Sequence, residues 1–121
     1  MFLVTANKAK QLLCINYIGQ VRPDELKLAH DEVRALLADL TPGFRLLADL
    51  SLVESIDPDC ATEIGRTMEL FDQSGVGLIV RVIPGPAKDF GMNILTAFHY
   101  ARHPRIITCE TLAEAIHKLS Q

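Results

Sequence analysis

The sequence predicts a single α/β domain in which a mixed sheet of about five strands is covered by about four helices. Three observations lead there. Strand-like and helix-like segments alternate along the chain, with short breaks containing Pro or Gly between them. Two segments, 44–50 and 76–83, carry few polar residues, which is the pattern of strands buried on both faces of a sheet. No repeat, low-complexity tract or linker interrupts the 121 residues, a length that suits one domain.

Apolar runs at 2–6 and 12–18, separated by Asn7, Lys8, Ala9 and Lys10, suit a hairpin with a short loop. A long helix then starts at Pro23, which tolerates the first helical position, with Asp24 and Glu25 at the positive end of the helix dipole. Leu26, Val33, Leu36, Leu37 and Leu40 recur at helical spacing, and Thr41, Pro42 and Gly43 end the helix. The strand at 44–50 comes next and leads to an acidic turn. Asp57 before Pro58 is a helix start, because the carboxylate can accept orphan amide protons. Ala61, Ile64, Met68 and Phe71 form the inward face of that second helix, which Ser74 and Gly75 close.

The strand at 76–83 has Arg81 as its only charge, and Pro84, Gly85 and Pro86 end it. A third helix is expected from 87 to about 102, with Phe90, Ile94, Leu95 and Phe98 along one side and Gly91 weakening it by about 1 kcal/mol relative to alanine. A short strand at 105–109 precedes a last helix, whose Thr111 and Glu114 form a capping box ahead of Leu112, Ala115, Ile116 and Leu119.

Composition narrows the function classes. A net charge of −3 gives no electrostatic footprint for nucleic acid. The 49% hydrophobic content argues for a packed, soluble globule, and no charge-free stretch approaches the roughly 18 apolar residues of a membrane span. The first ten residues run apolar then basic, the reverse of a secretory signal, so the cytoplasm is the expected location. Cys14, Cys60 and Cys109 are odd in number and widely spaced, so they read as reduced thiols, and no zinc site is expected.

Motif by motif, the sequence favours recognition over catalysis. Gly75 and Gly77 precede a strand instead of joining a strand to a helix, so no phosphate-binding glycine loop is present. There is no nucleophile elbow. Asp49, Glu54, Asp57 and Asp59 gather around one strand end, a common ligand crevice, but a catalytic carboxylate pair there is disfavoured. His99 and His103 lack a completing ligand and are read as complementing a helix carboxyl end; His30 is read as a helical residue without a partner. No catalytic residue, cofactor or metal is expected.

The most informative stretch is LLADLSLVESIDPDCATEIGRTMELF, residues 46–71. Asp49, Leu50, Ser51, Val53, Ile56 and Asp57 match without a gap a buried strand ending Asp-Leu-Ser that leads through Ile-Asp-Ser-Ser-Gly-Leu-Gly into a helix. This run resembles the central segment of STAS domains, the family of bacterial anti-sigma-factor antagonists, and the element order resembles that fold along essentially the whole chain. Gly19, Gln20, Val21, Pro23, Asp24, Glu25 and Leu26 resemble the family's passage into its first helix, and residues 111–115 its last helix start.

The resemblance implies a noncatalytic regulatory module that binds a protein partner, an anti-sigma or kinase-like protein, through Ser55, Asp57, Pro58, Asp59, Cys60, Thr62 and Glu63. In the family a kinase phosphorylates the second loop serine and breaks the complex. Here Pro58, Asp59 and Cys60 stand where the family has Ser-Ser-Gly. Three readings of Asp59 stay open: a fixed phosphomimic, a remnant of a switch that has become a constitutive binding surface, or helix-dipole chemistry alone, which is favoured over the first. Cys60 at a helix start can be activated as a thiolate, but two neighbouring aspartates oppose that, so it reads as a small residue in the place of the family's glycine. The alternative function is a small-molecule or lipid carrier, with the apolar stretch 90–100 covering a cavity. Pairing of edge strands into a homodimer stays open, with Lys8 and Lys10 opposing it.

Overall fold

Strand β4 (Arg45–Asp49) is buried along almost its whole length, as the apolar run at 44–50 requires. A computed structural model describes residues 1–83, 100, 102 and 104–120. The first strand, β1 (Phe2–Asn7), pairs antiparallel with β2 (Leu12–Tyr17), from Phe2 opposite Tyr17 to Asn7 opposite Leu12. Their turn is tied by the Lys10 amide, which donates to Asn7 Oδ1 at 3.0 Å, and by the Gln11 amide, which donates to the Lys8 carbonyl at 3.2 Å. After a three-residue strand β3 (Gly19–Val21), the chain enters helix α1 (Pro23–Leu37) and then β4.

Strand β5 (Val53–Ile56) and a 3-10 turn (Pro58–Cys60) lead into helix α2 (Ala61–Gln73), followed by β6 (Leu78–Val82), β7 (Arg105–Cys109) and helix α3 (Leu112–Leu119). The main sheet runs β1-β2-β4-β6-β7, with β2, β4, β6 and β7 mutually parallel in that order. The expected mixed sheet of five strands is thus observed. Three α-helices lie among the described residues; the helix expected at 87–102, with Phe90, Ile94, Leu95, Phe98 and His99, and also His103, falls outside them save for Tyr100 and Arg102.

Two layers of side chains leave the sheet in alternation, as the period of a strand demands. On one face Leu13, Ile15, Leu46, Ala48 and Ile79 pack with Leu26, Val33 and Leu37 of α1 and Ile64, Met68 and Phe71 of α2. Tyr17, Phe44 and Phe71 are the largest fully buried side chains there, each worth roughly 1.5–3 kcal/mol of burial. On the other face a smaller cluster joins Leu47, Val80, Val82 and Cys109 to Ala115 of α3.

Helix α3 departs from the sequence expectation. Ala115 is buried, but Leu112 and Ile116 are 40% and 52% exposed, because an eight-residue helix meets the sheet along a narrow line. Its carboxyl end is held instead by Arg45, whose guanidinium donates to the Leu119 carbonyl at 2.5 Å and to the Lys10 carbonyl at 2.9 Å. A second buried polar anchor is Asp72, near the end of α2, whose Oδ2 accepts the Arg102 amide at 3.1 Å.

The element that sequence reading did not separate is the two-stranded parallel sheet of β3 and β5. Gly19, at φ +64°, takes the left-handed conformation that lets the chain turn out of β2 directly into β3. The register of β3 against β5 shifts between Gly19 and Gln20, and α1 starts two residues after β3 ends.

Candidate functional site

The site is built by the chain leaving β4. Asp49 is buried at the strand end, and its Oδ1 accepts the Ser51 amide at 2.9 Å, which bends the backbone into a turn and exposes Leu52. The Leu52 carbonyl accepts the Gly19 amide at 2.9 Å, and β5 then runs beside β3. Pairing ends where the Asp57 amide donates to the Val21 carbonyl at 3.0 Å.

Asp57 caps the 3-10 turn, as its position before Pro58 predicts. Its Oδ1 accepts the Asp59 amide at 2.9 Å and its carbonyl accepts the Cys60 amide at 2.8 Å. The helix opens with this 3-10 turn, so Pro58, Asp59 and Cys60 precede α2 proper. A tight first turn of this kind turns alternate side chains sharply apart. Asp57, Pro58 and Asp59 are exposed, whereas Cys60 is fully buried.

The Cys60 thiol donates to the Val21 carbonyl at 3.4 Å and so ties the helix start to β3. Burial, reinforced by the Asp57 carboxylate, pushes the thiol up to about 11, so it is a neutral hydrogen-bond donor at neutral pH and not a nucleophile. The small-residue reading of Cys60 fits this geometry; thiolate activation by the helix start does not.

Between these elements lies an open cleft of about 580 Å³, bounded by residues 20–24 on one side and 55–58 on the other. It sits at the carboxyl ends of the two parallel strands, flanked by the amino ends of α1 and of the 3-10 turn. Its rim carries Arg22, Asp24, Ser55 and Asp57. Ser55, Asp57 and Pro58 therefore gather at one mouth, with Asp59 exposed next to them in the 3-10 turn and Thr62 exposed further along. The wall formed by Gln20, Arg22 and Asp24 was not legible in the sequence as part of a site, because only the distant pairing of β3 with β5 brings it there.

Glu63 turns inward. Its side chain is 13% exposed and meets His30 of α1, 8% exposed, with Nδ1 3.6 Å from Oε2. His30 Nε2 lies 3.3 Å from the Glu63 carbonyl oxygen. The reading of His30 as a residue without a partner is thereby corrected. The signal was present: His30 stands four residues after Leu26 and three before Val33, on the apolar stripe, where a polar group needs a buried partner.

The Asp49 and Asp57 carboxylates each accept a local backbone amide, and among the described residues no cluster of His, Cys, Asp or Glu is arranged to hold a metal ion. No described helix is long and apolar enough to cross a membrane.

The strand order and the helix that follows β5 and the 3-10 turn define a STAS-like fold, and solved structures agree. The chain superposes on the anti-sigma factor antagonist SpoIIAA in its unphosphorylated form with a TM-score of 0.61 at 15% identity, covering 99% of this chain and 98% of that one. An uncharacterized protein of the DUF3478 family from Shewanella loihica PV-4, with a SpoIIAA-like fold, gives 0.70 at 12% identity over 98% and 92%. An anti-sigma factor antagonist from Mycobacterium paratuberculosis gives 0.58 at 20% identity over 100% and 94%. No protein-family model matches the chain, and no curated protein matches it in sequence. The likeness is one of fold, along the whole chain.

Proposed function

We propose that this chain is a noncatalytic regulatory module that binds a protein partner through the 55–63 turn and the adjoining face of α2. The observation that carries this reading is the division of labour within the turn. Cys60 and Glu63 anchor it, while Ser55, Asp57, Pro58 and Asp59 are left exposed beside an open cleft. A rigidly anchored, exposed loop presents recognition groups effectively, because little ordering entropy remains to be lost on binding. SpoIIAA and the mycobacterial protein, which share the fold, are anti-sigma factor antagonists, and the partner class proposed here is an anti-sigma or kinase-like protein.

Asp59 gives the module its character. It places one permanent negative charge at the helix start, where exposed amides and the helix dipole favour it, and so imitates part of a phosphoserine. A phosphate brings about −1.5 to −2 charge and three acceptor oxygens, so the imitation is partial and fixed. Helix-dipole chemistry alone accounts for a carboxylate there; the phosphomimic reading adds that the module is held in one signalling state, without a phosphoacceptor at that position. Charge reversal tests the surface: Asp59→Arg is expected to weaken a captured partner by about 2 kcal/mol or more, read as the loss of the complex in a pull-down, with the fold intact. Undiminished capture by Asp59→Arg would exclude this interface.

A further inference from the structure

Helix α1 buries Leu26, His30, Val33 and Leu37, so His30 is the one ionisable side chain on its inward stripe. Its ring is tied to α2 through both nitrogens. Nε2 lies 3.3 Å from the Glu63 carbonyl oxygen, which only accepts, so Nε2 carries a hydrogen. The same carbonyl accepts Thr67 Oγ1–H at 3.0 Å, and this fixes its direction. With Nε2 protonated, Nδ1 is a bare lone pair in a neutral ring and an N–H in an imidazolium.

Nδ1 faces Glu63 Oε2 at 3.6 Å, and among the described residues Oε2 is buried without a hydrogen-bond donor. A neutral ring against an ionised carboxylate would set lone pairs against each other where no compensation is at hand. One proton, on Nδ1 or on Oε2, converts that repulsion into attraction. Among the described residues the surrounding layer offers little else. Arg66 Nη1 reaches Glu63 Oε1 only at 4.0 Å and is 59% exposed. Strands β1 and β2 send Phe2, Val4, Leu13, Ile15 and the Tyr17 phenol into this core, and the 3-10 turn sends the Cys60 thiol. Burial raises both Tyr17 and Cys60, so neither carries charge at neutral pH. Of the nearby charges, Glu25 of α1 pairs with the Met1 amine at 3.2 Å, and Asp57 and Asp59 stay exposed on the 3-10 turn.

We infer that His30 and Glu63 hold one shared proton between Nδ1 and Oε2, and that this proton latches α1 to the first turn of α2. The consequence for binding rests on the docking reading above, since Glu63 closes the 55–63 turn. The latch itself is testable without any partner, so either reading can fail alone. Without that proton the first turn of α2 is held less tightly.

The test combines imidazole nitrogen spectra with amide hydrogen exchange at residues 64–68 across roughly pH 5 to 8. Three proteins are compared: wild type, Glu63→Gln and His30→Gln. In Glu63→Gln the side-chain amide can donate its own N–H to Nδ1, so the contact needs no proton. His30→Gln removes the proton-binding ring. Wild type is expected to hold the extra proton at the acid end and, on losing it, to exchange these amides about tenfold faster than intrinsic chemistry accounts for. Both variants are expected to show no such step. An identical step in wild type and Glu63→Gln overturns the latch. So does a wild-type ring with bare Nδ1 beside an ionised Glu63 while residues 64–68 stay equally protected.

Discussion

The 3-10 turn ahead of α2 and helix α3 begin with the same device: a side-chain oxygen accepts a nearby amide, from Asp59 to Asp57 Oδ1 at 2.9 Å in one and from Glu114 to Thr111 Oγ1 at 3.2 Å in the other. The groups behind the two caps differ. The start of α3 is exposed at residues 110–114, and its first buried side chain is Ala115. The start of α2 has Cys60 bonded to β3, Ile64 fully buried, Glu63 against His30 and a cleft of about 580 Å³ alongside. A cap residue therefore says only that a helix begins. A recognition surface needs anchoring groups behind it, and among the described residues the start of α2 has more of them than that of α3, where Glu114 meets the buried Cys109.

The largest expected effect attacks that anchoring. Ile64→Ala removes a fully buried side chain one turn into α2 and should cost about 2–5 kcal/mol, read in a denaturant titration. A cost below about 1 kcal/mol would mean that the α2 start is no better seated than that of α3. Next comes a matched pair of cap removals. Asp57→Ala and Thr111→Ala should each cost about 1 kcal/mol, yet only Asp57→Ala should move the amide resonances of residues 20–24 across the cleft. Equal silence at 20–24 in both variants would erase the distinction.

The last effect is alkaline. In the folded chain the Cys60 thiol is held up to about 11, against an ordinary 9.0, so the unfolded state loses its proton first as pH rises. The contribution of Cys60 is complete below about pH 9 and disappears by about pH 11. Wild type should accordingly lose more stability across that interval than Cys60→Ala, measured as the difference between their denaturation midpoints.

Much of the frame was legible because it depends on local pattern. The apolar runs at 44–50 and 76–83 became β4 and β6, and Asp57 with Pro58 opened a 3-10 turn ahead of a helix whose Ile64, Met68 and Phe71 point inward. The missed features are nonlocal. Strand β3 has three residues and β5 four, too short to show a period of their own, and they exist as strands because they pair with each other. His30 could be placed on a stripe, but its partner lies 33 residues away. Leu112 and Ile116 looked like core by spacing, yet burial needs an opposing surface, and α3 meets the sheet through Ala115 and Leu119. Likewise the turn from Ser55 to Glu63 was visible as a unit, but not the inward rotation of Cys60 and Glu63 that leaves Asp57 and Asp59 outside.

Capture from a lysate of the native host, with wild type and Asp59→Ser side by side, partners identified by mass spectrometry and the serine probed for phosphate, tests the assignment of Asp59 most directly. A module locked by its aspartate predicts an anti-sigma or kinase-like protein on the bait and phosphate on the restored serine. No partner on either bait would contradict it and leave the likeness to anti-sigma factor antagonists as one of fold.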